Sequence, residues 1–243
     1  MVAVDDRWTQ QIESGYVSVA GDLGGPVLRV LVAGDLCPVG KPGDALATGQ
    51  DAGLWGELLA VTTSHDLCIA NLECPLTHGD SAITKEGPHL RADPRCAVGI
   101  RAGGFHVMTL ANNHILDMGE RGLLDTMAAC REAGLLTVGA GRELAEATRP
   151  LYLSVAGLRV ALLACAEHEF SIATRERPGA WPLDPIENRR QIIEASRSAD
   201  LVLVLVHGGH EGYPLPSPWL VKVCRYLVDV GADAVICHHS HVA

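Results

Sequence analysis

Apolar runs that stop abruptly at polar residues recur along this chain and predict its organisation. The clearest is residues 105–111, which predicts a strand buried on both faces and is followed directly by Asn112, Asn113 and His114. A helical pattern then resumes, with apolar residues at helical spacing over residues 119–133 and a terminating glycine. Side chains at the carboxyl end of a buried strand lie where open α/β sheets bind their ligands.

The rest of the chain repeats this alternation of strands and helices. Further apolar runs predict strands at residues 27–33, 66–70, 135–138, 151–155, 159–165, 201–206 and 234–237, of which 151–155 and 159–165 form a hairpin. Helices are predicted at residues 54–63, 187–198 and 217–231. Two polar stretches, residues 77–101 and 167–185, predict a surface loop and an insert, and residues 139–141 predict a turn.

Five of the predicted strands end in residues that can bind a metal ion. They are Asp35, Asn71 with Glu73, Asn113 with His114, His207, and His239 with His241. Each alone is better explained as a turn, a cap or a structural histidine, because Asp and Asn serve turns readily. In an alternating β/α chain, however, the strand ends share one rim, so that groups distant in sequence converge. Mixed carboxylate, amide and imidazole ligands suit Mn²⁺, Fe or Zn²⁺ better than a thiolate site does.

Composition narrows the class of protein. A chain of 243 residues with 48% hydrophobic content favours one large α/β domain, here residues 27–243, after a lead-in segment at residues 1–26. The net charge of −10 argues against a nucleic-acid partner. The eight cysteines include no C-x-x-C pair and indicate a reducing compartment. No signal peptide and no membrane-spanning apolar segment is recognised, so we expect a soluble, cytoplasmic chain.

Together these segments resemble the CapA family, which is associated with capsular poly-γ-glutamate synthesis and is similar to the calcineurin-like metallophosphoesterases. The matching strings follow the family's order over residues 27–242, and they are Gly34-Asp35, Asn71-Leu72-Glu73, Ala111-Asn112-Asn113-His114 with Leu116-Asp117 and Gly119, Gly139-Ala140-Gly141, His207 with Glu211 and Tyr213, and Gly231-Ala232-Asp233 followed by His238-His239-Ser240-His241-Val242. The resemblance implies a four-layer αββα sandwich of the metallophosphoesterase type. It also implies a site for two divalent metal ions, Mn, Fe or Zn, at the strand ends.

The resemblance further implies a role for each matched residue. The implied metal ligands are Asp35, Glu73 near the position of a bridging carboxylate, Asn113 through its carbonyl oxygen, His207, His239 and His241. His114 would act as a general acid or stabilise developing charge. Glu211 is a second catalytic candidate on the substrate side, and Asn71 would support the ligands.

The chain departs from the phosphoesterase pattern at several positions. Cys37 stands where the opening Asp-x-His motif has its histidine, so one metal position is expected to be weakened or vacant. Asn71-Leu72-Glu73 replaces the usual Gly-Asp motif, and Gly208 stands where the family commonly has Trp. Related chains continue beyond the histidine-rich end, whereas this sequence stops at Ala243, as in a C-terminally truncated piece or a domain without its closing strands.

Two functions follow as hypotheses. The first is a metal-dependent hydrolase that cleaves a phosphoester or a γ-glutamyl or other amide bond in an anionic small molecule or polymer. The alternative is a non-catalytic accessory protein that binds an anionic polymer or a synthase partner, which the missing Asp-x-His histidine supports. Lys85, His89 and Arg91 lie in the polar stretch at residues 77–101, where a solvated loop face is favoured over contact with an anionic substrate.

Overall fold

The computed structural model describes residues 27–50 and 52–242, in which strands and helices alternate. The strands are β1 (Val30–Leu36), β2 (Leu67–Leu72), β3 (Val107–Thr109), β4 (Leu136–Val138), β5 (Ala140–Gly141), β6 (Leu151–Val155), β7 (Leu158–Ala166), β8 (Gly179–Ala180), β9 (Leu201–His207) and β10 (Ala234–His238). The helices are α1 (Gly40–Thr48), α2 (Ala52–Trp55), α3 (Leu58–Thr63), α4 (Cys96–Ala102), α5 (Gly119–Glu132), α6 (Leu144–Ala147), α7 (Pro185–Ser196) and α8 (Pro218–Asp229). The lead-in predicted for residues 1–26 lies outside the described residues.

These strands form two four-stranded sheets and one short ladder. The first sheet has the order β1-β2-β3-β4, and all of its strands run parallel. The second has the order β10-β9-β7-β6, in which β6 is antiparallel to β7 and the other pairs are parallel. The ladder joins β5 to β8. Because parallel strands end at the same edge, each sheet presents a row of strand ends on one side.

Alternate residues of the second sheet belong to two different hydrophobic cores. In β7, Leu162 and Ala164 pack in one core with the first sheet and with residues of α4 and α5. Leu163 and Cys165 instead pack in a second core with residues of α7 and α8. This period-two alternation is typical of a sheet covered on both faces. The layers are therefore helices, sheet, sheet and helices, which confirms the predicted αββα sandwich.

Local sequence signals account for the two helices that cover the second sheet. Ser217 lies before Pro218 at the start of α8, and its Oγ accepts a hydrogen bond from the Leu220 N–H at 3.1 Å. Asp184 caps α7 in the same way, since its carboxylate accepts hydrogen bonds from the N–H groups of Ile186 and Glu187. The sequence predicts both helices, and α7 begins two residues earlier than expected.

The structure differs from the sequence-based prediction at several element boundaries. Only Val107–Thr109 of the run at residues 105–111 forms a strand, although nearly the whole run is buried. The helix predicted at residues 54–63 is broken into α2 and α3 at Gly56, which has φ +47°. Residues 139–141 are more than a turn, because β5 pairs there with β8. Residues 77–101, predicted as a surface loop, contain the start of α4.

Gly139 lies where the two sheets approach each other, and it allows their close contact. A Cβ atom at this position would lie 2.7 Å from the Cβ of Ala164 in β7 and 2.8 Å from the Cβ of Ala111. The backbone of Gly139 also has φ +89°, which disfavours residues with a side chain. The strand ends of the two sheets can therefore approach closely only with glycine here.

We expect Gly139→Ala to destabilise the fold more than Gly134→Ala, by about 1–3 kcal/mol from overpacking. Gly134 is a matched control because it has φ +76° but nothing within 4 Å of the place that a Cβ atom would occupy, so its change carries the backbone cost alone. Urea denaturation of both variants and the wild type measures the difference. Equal losses in the two variants would contradict this account of the contact.

Candidate metal centre

The carboxyl ends of five strands, three from the first sheet and two from the second, meet at one edge of the sandwich. The first sheet contributes Asp35 in β1, Asn71 in β2 with Glu73 just after it, and Asn113 after β3. The second sheet contributes His207 and His238, the last residues of β9 and β10, followed by His239 and His241. All six predicted ligands, Asp35, Glu73, Asn113, His207, His239 and His241, lie at this edge, and the contacts below join them into one site.

Asp35, His207 and His238 form the first group of potential ligands. The Asp35 Oδ1 atom lies 2.7 Å from His238 Nδ1 and 3.6 Å from His207 Nδ1. The two Nδ1 atoms of His207 and His238 lie 2.9 Å apart. Three donor atoms that share one metal ion at about 2.1 Å each lie roughly 3–4 Å from one another, so the spacing fits a divalent cation.

Glu73, His239 and His241 form the second group. The Glu73 Oε1 atom lies 3.8 Å from His241 Nε2 and 3.4 Å from His207 Nε2. Asn113 joins the site through its Oδ1 atom, which lies 3.1 Å from the same His207 nitrogen. His207 therefore stands between the two groups, with Nδ1 toward the first and Nε2 toward the second.

The protonation states of these residues fit the binding of a cation. Burial, and next the charge of Asp35, raise the pKa of Glu73 to about 9. Burial lowers the pKa of His207 to about 3, although a hydrogen bond to Asp35 opposes this effect. A neutral imidazole is the form that binds metal, and a buried carboxylate held near other carboxylates gains most from a cation.

Two buried polar atoms of the second group have no hydrogen-bond partner among the described residues. They are Glu73 Oε1 and His239 Nδ1, and both residues are only 4% exposed. An unpaired buried polar atom is costly, so its presence in a site requires an explanation. The orphaned Glu73 oxygen, together with the donor set, fits the binding of a metal ion.

Asp35 behaves differently from Glu73 because hydrogen bonds hold its charge. Burial acts to raise the pKa of Asp35, but hydrogen bonds from His207 and His238 outweigh it and hold the pKa well below its usual range. The Asn71 Nδ2 group donates a further hydrogen bond to Asp35 Oδ1 at 2.8 Å. Asp35 is thus a preformed anion. It does not lie in a turn, as the Gly-Asp pair alone suggests, because β1 continues to Leu36 past an irregularity in its pairing.

The backbone is held in an unusual conformation at two of the histidines. His239 has φ 118° and His241 has φ 54°, and Ala156 is the remaining non-glycine residue with positive φ in the described part of the chain. Such conformations cost free energy and persist only where the surrounding structure imposes them. Both residues belong to the second ligand group. The placement of their imidazole rings, rather than the preference of the backbone, therefore determines the backbone conformation of this segment.

A buried amide network that includes Asn71 lies behind the proposed ligands. The Asn71 Oδ1 atom accepts hydrogen bonds from Thr109 Oγ1 at 3.0 Å and from Asn112 Nδ2 at 3.1 Å. Asn112 Nδ2 also donates to the Leu72 carbonyl at 2.8 Å. Asn112, which the sequence suggests only as a turn residue, therefore connects the ends of β2 and β3 and is fully buried.

His114 lies next to Asn113 and is held by a buried acid and a buried base. Its Nδ1 atom lies 2.7 Å from Asp117 Oδ2 and 3.0 Å from Lys85 Nζ. Lys85 also forms an ion pair with Asp117 Oδ1, and its side chain is only 2% exposed. The prediction that Lys85 lies on a solvated loop face is wrong, since its ammonium group is drawn in by the buried carboxylate. His89 and Arg91 lie in exposed hydrogen bonds to backbone carbonyls of their own loop.

Some site residues escape sequence reasoning, and one predicted residue has weaker support. His238 stands out in the sequence only as part of a histidine-rich segment, yet it contacts Asp35 directly. The sequence does not assign Asp117 or Lys85 to the site, although the i, i+3 spacing of His114 and Asp117 could have suggested the first. Glu211 is exposed. Its support is weaker because it is linked to the site only through its negative charge, which helps to raise the pKa of Glu73.

The sequence profile of the family described as "Bacterial capsule synthesis protein PGA_cap" matches residues 29–243. The chain belongs to this family. The PGA_cap match covers both sheets and every strand that contributes a ligand, so the resemblance to CapA proteins is confirmed.

Curated relatives carry names consistent with this family. The chain is 38% identical over 160 residues to the "Capsule biosynthesis protein CapA" of Bacillus anthracis, covering 63% of this chain and 39% of that one. It is 35% identical over 202 residues to a "Probable polyglutamine synthesis accessory protein" of Mycobacterium tuberculosis, covering 77% and 53%. The chain thus spans about half or less of the length of these relatives.

Solved structures share the fold of this PGA_cap chain at low identity. A hypothetical protein from Thermus thermophilus superposes with a TM-score of 0.53 and 22% identity, covering 88% of this chain and 69% of that chain. The 5'-nucleotidase precursor from the same organism has a TM-score of 0.53 and 15% identity, covering 88% and 42%. These two structures support the fold alone. None of the helices in the described residues is long and apolar enough to cross a bilayer.

Glu73→Gln is expected to stabilise the metal-free protein increasingly as pH rises from about 5 to 8. The folded protein retains the Glu73 proton up to a pKa of about 9, whereas the unfolded chain releases it near 4.5, so wild-type stability falls between these values. Glutamine has no such proton. The difference in the free energy of unfolding between Glu73→Gln and the wild type should therefore grow by at most about 1.4 kcal/mol per pH unit, and by less where solvent screens the group. Urea denaturation in chelator at pH 5 and pH 8 measures it, and an equal difference at both would refute the assignment.

Proposed function

We propose that this chain is a divalent-metal-dependent hydrolase linked to the synthesis of a capsular polyglutamate. The observation that carries the proposal is the pair of adjoining ligand groups, one around Asp35 and one around Glu73, with the Glu73 Oε1 atom buried and unpaired. The site would hold two Mn, Fe or Zn ions. One would be bound by Asp35, His207 and His238, and the other by Glu73, His239 and His241. Asn113 lies beside His207. Such ions polarise a scissile centre and activate water.

The residues around the proposed metal ions perform the remaining tasks. Asp117 Oδ2 accepts the Nδ1 proton of His114, which leaves Nε2 as the atom that gives or takes a proton from substrate. Lys85 balances the charge of Asp117 and excludes water from behind the imidazole. The bonds that this arrangement suits are a phosphoester and a γ-glutamyl or other amide bond, both of which develop negative charge on oxygen during attack by water. Glu211 is assigned to the exposed, substrate-facing side of the site.

A second candidate function is that of a non-catalytic accessory protein that binds an anionic polymer or a synthase partner. Cys37 in place of the Asp-x-His histidine supports it, and so does the name of the M. tuberculosis relative, a probable accessory protein. The net charge of −10 opposes unaided binding of polyglutamate, because like charges repel. Retention of polyglutamate in a pull-down carried out in chelator would favour this candidate over the hydrolase.

We expect the purified protein to bind two divalent ions per chain after loading with Mn²⁺ or Zn²⁺ and removal of excess metal. His239→Ala should lose one of them, because it removes an imidazole from the second group while the first remains complete. His89→Ala is a matched control, since His89 is exposed and lies outside both groups. Elemental analysis by mass spectrometry counts the ions. Absence of bound metal under every loading condition would exclude the proposed hydrolase.

His114→Asn should lower kcat by about 10²-fold or more while leaving the metal content unchanged. The reason is that His114 is proposed to move a proton at Nε2 but to bind no metal. Hydrolysis of phosphomonoester, phosphodiester and γ-glutamyl substrates by metal-loaded protein provides the assay, with His89→Asn as the control. Full activity in His114→Asn would assign the proton transfer to another group.

A further inference from the structure

Residues 167–171, which follow β7, form a segment that joins two of the ligand-bearing loops. At one end, the Gly209 N–H donates a hydrogen bond to Glu167 Oε2 at 2.9 Å, just after His207. At the other end, Ser171 Oγ donates to the carbonyl of Asn113 at 2.8 Å, and Ser171 is only 1% exposed. The segment is therefore fixed to the loop after β9 and to the loop after β3.

The path of this segment depends on Gly208. A Cβ atom at Gly208 would lie 2.7 Å from Cγ and 2.8 Å from Cδ of Glu167, closer than side-chain atoms approach. A larger residue would require the Glu167 side chain to move away from the Gly209 N–H. The family resemblance predicts Trp at this position. The glycine found here leaves the space that the Glu167 side chain, at the start of residues 167–171, occupies.

Glu169 lies in the middle of this fixed segment and faces the second ligand group. Its Oε1 atom lies 3.7 Å from His239 Nε2, and its side chain is 34% exposed. Two donor atoms bound to one divalent ion lie roughly 3–4 Å apart, so the spacing of Glu169 Oε1 and His239 Nε2 is compatible with a shared cation. Glu169 itself lies outside the set of donor atoms that are all within 4.8 Å of one another, so its exposed side chain would turn inward to complete the site. Unlike Glu73, which is buried, Glu169 approaches the group from the side open to solvent.

We propose that Glu169 is a further ligand of the divalent cation that Glu73, His239 and His241 would hold. The inference rests on the proposed function, because it requires that a metal ion binds at this group. The carboxylate would add a hard oxygen donor to the second ligand group.

The test compares Glu169→Gln with Glu176→Gln by calorimetric titration of Mn²⁺ into metal-free protein. Both changes remove one negative charge from the same insert, but only Glu169 contacts a proposed ligand, His239, whereas Glu176 is exposed and pairs with none of the proposed ligands among the described residues. Glu169→Gln should weaken binding at one of the two sites by about tenfold or more, while Glu176→Gln should match the wild type.

The outcomes separate this inference from the proposed function. Wild-type affinity in Glu169→Gln, with two ions bound, would overturn the ligand role and leave the hydrolase standing. Equal weakening in Glu169→Gln and Glu176→Gln would also overturn it, because the effect would then be one of net charge. No metal bound by the wild type would overturn both. Thermal unfolding followed by circular dichroism verifies that each variant is folded.

Discussion

Asp35 and Glu73 are buried carboxylates on neighbouring parallel strands, and their mutual repulsion shapes the rest of the site. The two respond differently because only Asp35 is surrounded by donors: His238, His207 and Asn71 all approach it, and its pKa falls. Glu73 has no hydrogen-bond partner at Oε1 among the described residues, and its pKa rises to about 9. Without a cation the site can hold one of the two charges at neutral pH, whereas a bound cation would allow both.

The scaffold makes this arrangement possible by limiting movement at the strand ends. Asn71 and Asn112 connect β1, β2 and the loop after β3 through buried amide hydrogen bonds, so that the first sheet cannot relax away from the carboxylates. Gly139 allows the second sheet to approach at the same edge and bring His207 and His238 within reach. The unpaired Glu73 atom thus persists because rigid strands, not flexible loops, hold its neighbours.

The fold, and the meeting of polar strand ends at one edge, were predictable from sequence because strand ends are local features. An apolar run followed by Asn, Asp or His can be recognised without knowing its partners, and parallel pairing then brings such ends together. Lys85 could not be predicted in this way, because its burial depends on Asp117, 32 residues further along the chain, and polar composition indicated a solvated loop. His238 was hidden for a different reason: three histidines within four residues fit several choices of ligand, and the structure places two of them against Asp35, His238 at 2.7 Å and His241 at 3.3 Å.

Two departures from the phosphoesterase pattern, Cys37 and Gly208, each lie against a neighbouring residue that occupies or contacts the altered position. Cys37 lies close enough to Cys74 for the Cys74 thiol to donate a hydrogen bond to it, which lowers the pKa of Cys37. Cys74 follows Glu73 directly in the sequence. The contact between Cys37 and Cys74 therefore joins the ends of β1 and β2 at the position where the phosphoesterase pattern has a histidine. Gly208 and Glu167 form the other pair, since the missing side chain of one leaves room for the other. Both pairs lie within a few residues of the proposed ligands. His239 and His241 hold backbone conformations that cost free energy, and under the proposed function the binding of a cation would offset that cost, because a ligand that binds only the folded state stabilises it.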